Sequence, residues 1–368
     1  MTAPLSYGLI GAGMMGQEHL RTLALHPHAQ ITVILEPDAG MRKAAHALAP
    51  GVIFVNDLDA LLNNPLDAII IATPNDLHAN QLCDILNRRV IPVILEKPCA
   101  INLAQVVRLR ALPKDAPVWV GMEYRYMPPL QAFIQFLQDQ QAGKLVNLTM
   151  CEHRFGFLSK VGNWNRFNAR TGGTMVEKCC HFFDLMSHII GDTPVRLYAS
   201  GGQDVNHRDE RYEGRIPDIL DNAYVLVDFA CGVRACLHLC MFAEGAPYQE
   251  EITAIGEHAK IVCRIPGPAR LWRDDNPQPP ADLCVYPRTG KVNPAQTFEL
   301  EHALHESGDH YGSTFYHHEK IYAWLTGAGP IEVGLPEGLR AVVMGLAAQE
   351  SMRAGTAMSL RDGDFALA

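Results

Sequence analysis

The sequence predicts an α/β chain in two parts: an N-terminal doubly wound parallel sheet, then an α+β domain with a large, mainly antiparallel open sheet. Three observations carry this. Through the first third, near-continuous Val/Ile/Leu runs alternate with segments of helical spacing, as strands do when helices cover both faces of a parallel sheet. A G-x-G-x-x-G pattern joins the first of these strands to the first helix. After Gly121-Met122 the alternation stops, and several strand patterns follow one another. The spacing therefore predicts domains at 1–122 and 123–368, with a C-terminal helix able to pack back toward the first domain.

Element by element, "SYGLIG" reads as a strand and "MMGQEHLRTLALHP" as a helix ending at Pro27. "ITVILE" is a second strand, followed by the helix "DAGMRKAAHALA", which Pro50-Gly51 stops. "GVIFV", "DAIIIAT", "PVILEKP" and "VWVGME" supply strands three to six, with helical segments between them. In the second part "KLVNLTMCEHRFGF" is a long strand, and "NAYVLVDFACGVRACLHLCMF" is two strands hinged at Gly232. "YQEEITAIG" and "HAKIVCRI" add two more, and Pro266 to Pro294 reads as an irregular surface excursion. Helices are predicted near Thr314–Leu325 and Leu335–Met352.

The composition narrows the class. With 368 residues, 48% apolar and 19% charged, the chain can bury full cores in about two domains. A net charge of -9 speaks against a nucleic-acid partner. The opening "MTAPLSYGLIGAG" has no basic, cleavable leader pattern, and no apolar run is long enough for a membrane span. Ten cysteines without an export signal are read as free thiols. The expectation is a cytoplasmic protein.

Gly11, Gly13 and Gly16 follow a strand and open a helix, so they can turn the chain, admit a pyrophosphate and let helix and strand pack. Met14 and Met15 complete that loop. Glu36 ends the second strand about 20 residues later, where a carboxylate holds ribose hydroxyls. An acid there favours NAD over NADP, because it repels a 2′-phosphate. Two further motifs fall at strand ends on the ligand-binding edge. One, "IATPNDLHANQ", contains Thr73, Pro74, Asn75 and His78. The other, "ILEKPCA", contains Glu96 and Lys97.

Taken with "GGTMVEKCCHFFDL" and the C-terminal "LPEGLRAVVMGLAAQESMRAG", this set resembles the Gfo/Idh/MocA family of NAD(P)-dependent sugar and polyol oxidoreductases. The resemblance implies a Rossmann first domain, and a catalytic trio in which Lys97 and His181 match the family lysine and histidine. Glu177 stands where most relatives carry aspartate, which leaves it either to orient the histidine or to touch the substrate. Independently of the family, positions four apart on a helix share a face, which would place Glu177 and His181 in one site. An imidazole is easily poised as a general base.

Glu-x-x-x-His without a third ligand is a poor metal site, so no metal is expected. Of Cys179 and Cys180 one is expected in the core, and Asp184 reads as a structural hydrogen-bonding residue. Arg154, Lys160, Trp164, Arg166 and Arg170, just before this stretch, suit an oxygen-rich or anionic ring. The resemblance adds Tyr124, Arg125, Asp309, His310 and Tyr311 as pocket positions. His317-His318 read as helix surface, and His153 and His238 as ordinary sheet residues.

The expected activity is hydride transfer between a ring carbon of a sugar or inositol-like polyol and nicotinamide. One alternative is a redox-neutral, NAD-dependent hydrolase of an acidic or sulfonated glycoside, and a lesser one is a silent nucleotide-sensing regulator. An open sheet with one apolar face would make a homodimer or homotetramer.

Overall fold

The computed structural model describes residues 4–272, 277–290 and 294–367. Its first domain alternates β1 (Leu5–Ile10), α1 (Met14–Ala24), β2 (Ala29–Leu35), α2 (Ala39–Leu48), β3 (Ile53–Val55) and α3 (Leu58–Leu62). It continues with β4 (Ala68–Ile71), α4 (His78–Arg88), β5 (Val93–Leu95), α5 (Leu103–Arg110) and β6 (Val118–Val120). The six strands are parallel, in the order β3-β2-β1-β4-β5-β6. The winding reverses between β1 and β4, which opens a crevice at the C-terminal strand ends. Every residue of β4, Ala-Ile-Ile-Ile, is buried, as a central strand covered on both faces requires. Asp38, Asp57 and Asn102 cap α2, α3 and α5 by accepting from first-turn amides. Helix α1 begins instead on Gly13, without a side-chain cap.

The second domain begins with α6 (Pro128–Gln138), β7 (Leu145–His153), α7 (Asn168–Thr171), α8 (Thr174–Glu177), α9 (Cys180–Ile190) and β8 (Pro194–Gly202). Then come β9 (Asn222–Phe229), β10 (Arg234–Cys240), β11 (Glu250–Gly256), β12 (Ala259–Ile265), β13 (Ala281–Pro287) and β14 (Gln296–Phe298). The chain closes with α10 (His302–Ser307), α11 (Ser313–Leu325), α12 (Leu335–Ala354) and β15 (Met358–Ser359). Nine strands form one sheet in the order β14-β13-β12-β11-β7-β10-β9-β8-β15, antiparallel except for the β7–β10 pair. Leu148, Met150, Leu237, Leu239 and Ile252 are buried on its inner face, against which α9 and α12 pack. Tyr198, Tyr224, Leu226 and Ile255 on the alternate positions are exposed.

Two expectations are corrected. The Pro266–Pro294 stretch contains a strand, because the run Ala281–Pro287 pairs with β12 from Asp282 onward and buries Ala281 to Cys284. Residues 273–276 and 291–293 of that stretch lie outside the described residues. His317 and His318 are buried, not on the surface, because α11 docks on α1 of the first domain. The C-terminal segment also closes on the first sheet: the Val120 amide donates to Val333 O at 2.9 Å, and Gly338 brings α12 so close to Val120 that an added Cβ would lie 2.9 Å from its methyls.

One ion pair fastens α9 beneath the end of β6. Arg125 donates Nε and Nη2 to the two Asp184 oxygens, at 2.6 Å each, and Nη1 to Glu332 O. Both partners are nearly fully buried. Removing one charge from such a pair strands the other, so Arg125→Met should cost about 3–5 kcal/mol of stability. Denaturant unfolding of the variant beside the parent chain measures it.

Candidate active site

The glycine loop fits a dinucleotide on its own geometry. Gly11 has φ +90°, and an added Cβ would lie 2.7 Å from Ala72 O, so only glycine turns the chain there. At Gly13 an added Cβ would meet nothing within 4 Å, so open space faces the uncapped first turn of α1, whose amides can receive phosphate oxygens. Gly16 has the backbone of Gly11 directly against it, the close packing expected of the third glycine. Met14 is exposed and Met15 half-buried beside this space. Glu36 is buried and accepts from the amides of Ala12 at 2.6 Å and Asp38 at 2.8 Å. It therefore braces the glycine loop, and its remaining lone pairs are the ones left for a ribose.

The "EKP" motif ends β5. The Glu96 carboxylate lies 3.0 Å from His19 Nε2, and His19 Nδ1 lies 2.9 Å from His318 Nε2. Burial disfavours the Glu96 charge, but the His19 hydrogen bond and the charges of His19 and Lys97 outweigh it and pull the carboxyl down to about 2. Glu96, expected among the cofactor contacts, is buried and anchors the strand end through His19. Lys97, the next residue, reaches across the crevice and donates Nζ to the backbone carbonyl of Glu177 at 3.3 Å.

That carbonyl is free because the helix breaks. Glu177 and His181 were expected on one helix, but α8 ends at Glu177 and α9 starts at Cys180, with Lys178 and Cys179 in a turn. In place of a continued ladder, Glu177 O receives Lys97 Nζ and, at 3.8 Å, the Cys180 thiol. The Glu177 carboxylate turns to Lys160, whose Nζ lies 3.2 Å from Oε1 and 4.5 Å from the centre of the Trp164 ring. His181 is 1% exposed, and neither ring nitrogen has a hydrogen-bond partner among the described residues. Its orientation comes from stacking on Tyr124, with centroids 4.1 Å apart and planes 7° from parallel, and not from Glu177. Cys179 and Cys180 are both buried, which corrects the expectation of one.

Comparison with known proteins gives the family. Residues 5–124 match the family model of the oxidoreductase family's NAD-binding Rossmann fold, and residues 140–360 match its C-terminal alpha/beta domain. The chain belongs to the Gfo/Idh/MocA family. It is 29% identical to the rhizopine catabolism protein MocA of Rhizobium meliloti, over 52% of this chain and 58% of that protein. It is 32% identical to an inositol 2-dehydrogenase of Corynebacterium glutamicum, over 54% and 57% of the two chains. The chain spans about half the length of the curated relatives it matches. A levoglucosan dehydrogenase solved with NADH shares the fold, with a TM-score of 0.79 at 18% identity, covering 97% of this chain and 99% of that one.

In this Gfo/Idh/MocA chain the structure adds residues that sequence reasoning missed. Glu123 is 2% exposed, with Oε1 lying 3.6 Å from His181 Nε2 and 3.9 Å from His310 Nδ1. Burial first, then the nearby Glu96, raise its carboxyl to about 7. Glu18 on α1 accepts from Thr314 Oγ1 at 2.7 Å and lies 3.1 Å from His310 Nδ1. Burial works against charge on both partners, yet their mutual attraction wins, raising His310 and lowering Glu18. Lys178 lies 2.7 Å from Glu152 and reaches the Tyr124 hydroxyl. No motif joins residues 18, 123 and 152 to His310, which alone of the four was expected at the pocket. For the others the one signal was an acid beside Tyr124 at a strand end.

The electrostatics divide the roles. Burial opposes the Lys97 charge, but Cys180, Glu123, Glu96 and Glu177 outweigh it and hold the ammonium above its usual range. Burial, reinforced by Lys97, Lys178 and His310, drives His181 well below the usual imidazole range. The site thus sets a charged lysine beside a neutral histidine.

Several expected residues are engaged elsewhere. Arg125, expected at the substrate, is spent on Asp184 because burial demands a paired charge. Arg166 is buried against Glu210, Tyr311 bonds Phe298 O, and Asp309 takes an exposed pair with Arg270. Arg170 clamps Asp76, and Asn75 Nδ2 donates to Thr171 O at 3.4 Å. Thr73 donates to Gln81 beside Pro74, and the two His78 nitrogens lie 2.8 and 2.9 Å from Pro98 O and Thr73 O. These residues stiffen the cofactor edge.

Glu123 has a testable signature. Between the ordinary carboxyl value of 4.5 and its folded value of about 7, the folded chain keeps a proton that the unfolded chain releases. Its contribution to stability therefore falls as pH rises through that window. Glu123→Gln should gain on the parent chain between about pH 5 and about pH 8, as read by denaturant unfolding at both pH values.

Proposed function

We propose that the protein is an NAD-dependent dehydrogenase acting on a ring hydroxyl of a sugar or inositol-like cyclic polyol. The observation that carries this is the pairing, in one buried site at the crevice, of a charged Lys97 with a neutral, unpartnered His181. When bound, the nicotinamide supplies the hydride acceptor. Lys97 Nζ, steered by Glu177 O, offers a positive charge to the hydroxyl oxygen as negative charge develops on it. The His181 imidazole accepts the hydroxyl proton. Its Nε2 faces Glu123 Oε1, so Glu123, once it has released the proton that burial holds up to about 7, balances the imidazolium formed. Lys160 and Glu177 present polar atoms beside the Trp164 ring, a surface that suits the hydroxyl and C–H sides of a pyranose or cyclitol. The same reading includes a cytoplasmic homodimer or homotetramer meeting through the exposed face of the nine-stranded sheet, supported by its exposed Tyr224 and Leu226. No helix among the described residues is long and apolar enough to cross a membrane.

The test is NADH absorbance on mixing the protein and NAD with inositols, pyranoses and acidic glycosides, with released aglycone assayed in the same wells. NADH formed in step with loss of one free polyol or sugar is expected. Aglycone release without NADH would overturn the reading in favour of redox-neutral glycoside cleavage. With the substrate in hand, Lys97→Met should lower kcat by about 10²–10³ and His181→Asn by about 10²–10⁴, while NAD affinity by fluorescence titration is retained. Near-parental turnover of Lys97→Met would remove the lysine from the mechanism.

A further inference from the structure

The outer face of the nine-stranded sheet carries three side chains that the proposed chemistry does not use. Cys151 and His153 stand two apart on β7 and so project from the same face. His238 lies directly across from Cys151 on the parallel neighbour β10. Although sequence patterning read both histidines as ordinary sheet residues, one ligand atom from each of the three comes within 4.8 Å of the others. His153 Nε2 lies 3.2 Å from His238 Nδ1. Two imidazole nitrogens bound at ~2.0–2.1 Å to a tetrahedral ion stand ~3.3 Å apart, so the strands already set the spacing such an ion demands. Tyr224, across β9, stacks on His238 with centroids 4.3 Å apart and planes 10° from parallel. The stacking holds the His238 ring with Nδ1 toward His153, the kind of outer support that orients metal ligands.

We propose that Cys151, His153 and His238 form a binding site for Zn²⁺ or a similar borderline divalent cation, with water in the fourth position. One thiolate and two imidazoles are a donor set suited to that class, and three protein ligands leave the site open. Each ligand is half-buried within the single chain, so the sheet already meets the cost of ordering it. A thiol gives up its proton when it binds a metal, so affinity should rise with pH. The site lies on the sheet face that the proposed oligomer also uses, but it shares no residue with the crevice, so its test is separate from that of hydride transfer.

The experiment is titration of the purified, untagged full chain with Co²⁺, followed by displacement with Zn²⁺. Expected are one Co²⁺ per chain, a near-ultraviolet thiolate-to-cobalt band with tetrahedral visible bands, and loss of both on adding Zn²⁺. C151S should abolish the thiolate band, and H238Q should weaken binding by at least ~tenfold; circular dichroism shows whether each variant is folded. A thiolate band that persists in folded C151S, or no stoichiometric binding by the parent chain, would overturn the proposal. Should H238Q fail to fold, H153Q carries the same expectation and the same contrary result.

Discussion

The carbonyl of Glu177 holds the two halves of the site together. A continuous helix would have consumed it internally. The turn at Lys178-Cys179 instead leaves it facing the crevice, where it takes the Lys97 ammonium from the end of β5. One backbone acceptor thereby links the parallel sheet to the helices of the second domain and aims the lysine. The same break separates Glu177 from His181. The acid turns to Lys160, and the histidine is left to the Tyr124 ring. Glycines at 172 and 173, with φ of +80° and +83°, bring the chain into this segment through a conformation that side chains resist.

Around that contact lies an unusual density of buried charge, arranged so that most of it cancels. Glu96 is answered by His19 and Lys97, Glu18 by His310, and Glu152 by Lys178 and Arg154. What does not cancel is informative. Among the described residues Glu123 has neither side-chain oxygen hydrogen-bonded and His181 has neither ring nitrogen engaged, and Glu123 keeps a proton into the neutral range. Two proton-handling groups are therefore left facing each other inside a frame where Glu18, Glu96 and Glu152 already have partners. Leaving them so costs stability, which the surrounding apolar packing must supply.

The first domain was readable because its physics is local. Runs such as Ala-Ile-Ile-Ile and the glycine spacing each specify an element without reference to distant residues. Lys97, Glu177 and His181 each stand in a sequence motif, and the fold brings the first two into contact. Most of the failures share one cause, contact between segments remote in sequence. His317 and His318 look like helix surface until α11 meets α1. Glu123 acquires meaning from residues 18, 181 and 310, which no spacing rule joins. Arg125 and Arg166 carry the right chemistry for a ligand, but burial committed each to an acid. The strand Ala281–Pro287 escaped notice because the prolines around it outweighed its short apolar run.

The ties across the crevice have a mechanical consequence. Arg170 with Asp76, Asn75 with Thr171, Lys97 with Glu177, and α12 against β6 span the gap at several points. Swinging one sheet away from the other would break these ties together, so the gape of the protein is fixed before any guest arrives. Such a molecule acts as a gauge and not as a jaw: it sorts visitors by whether they fit a width already set. Adaptation to a larger guest would then come through loop sequence, with Lys160 and Trp164 the first positions to change, while the frame stays as it is.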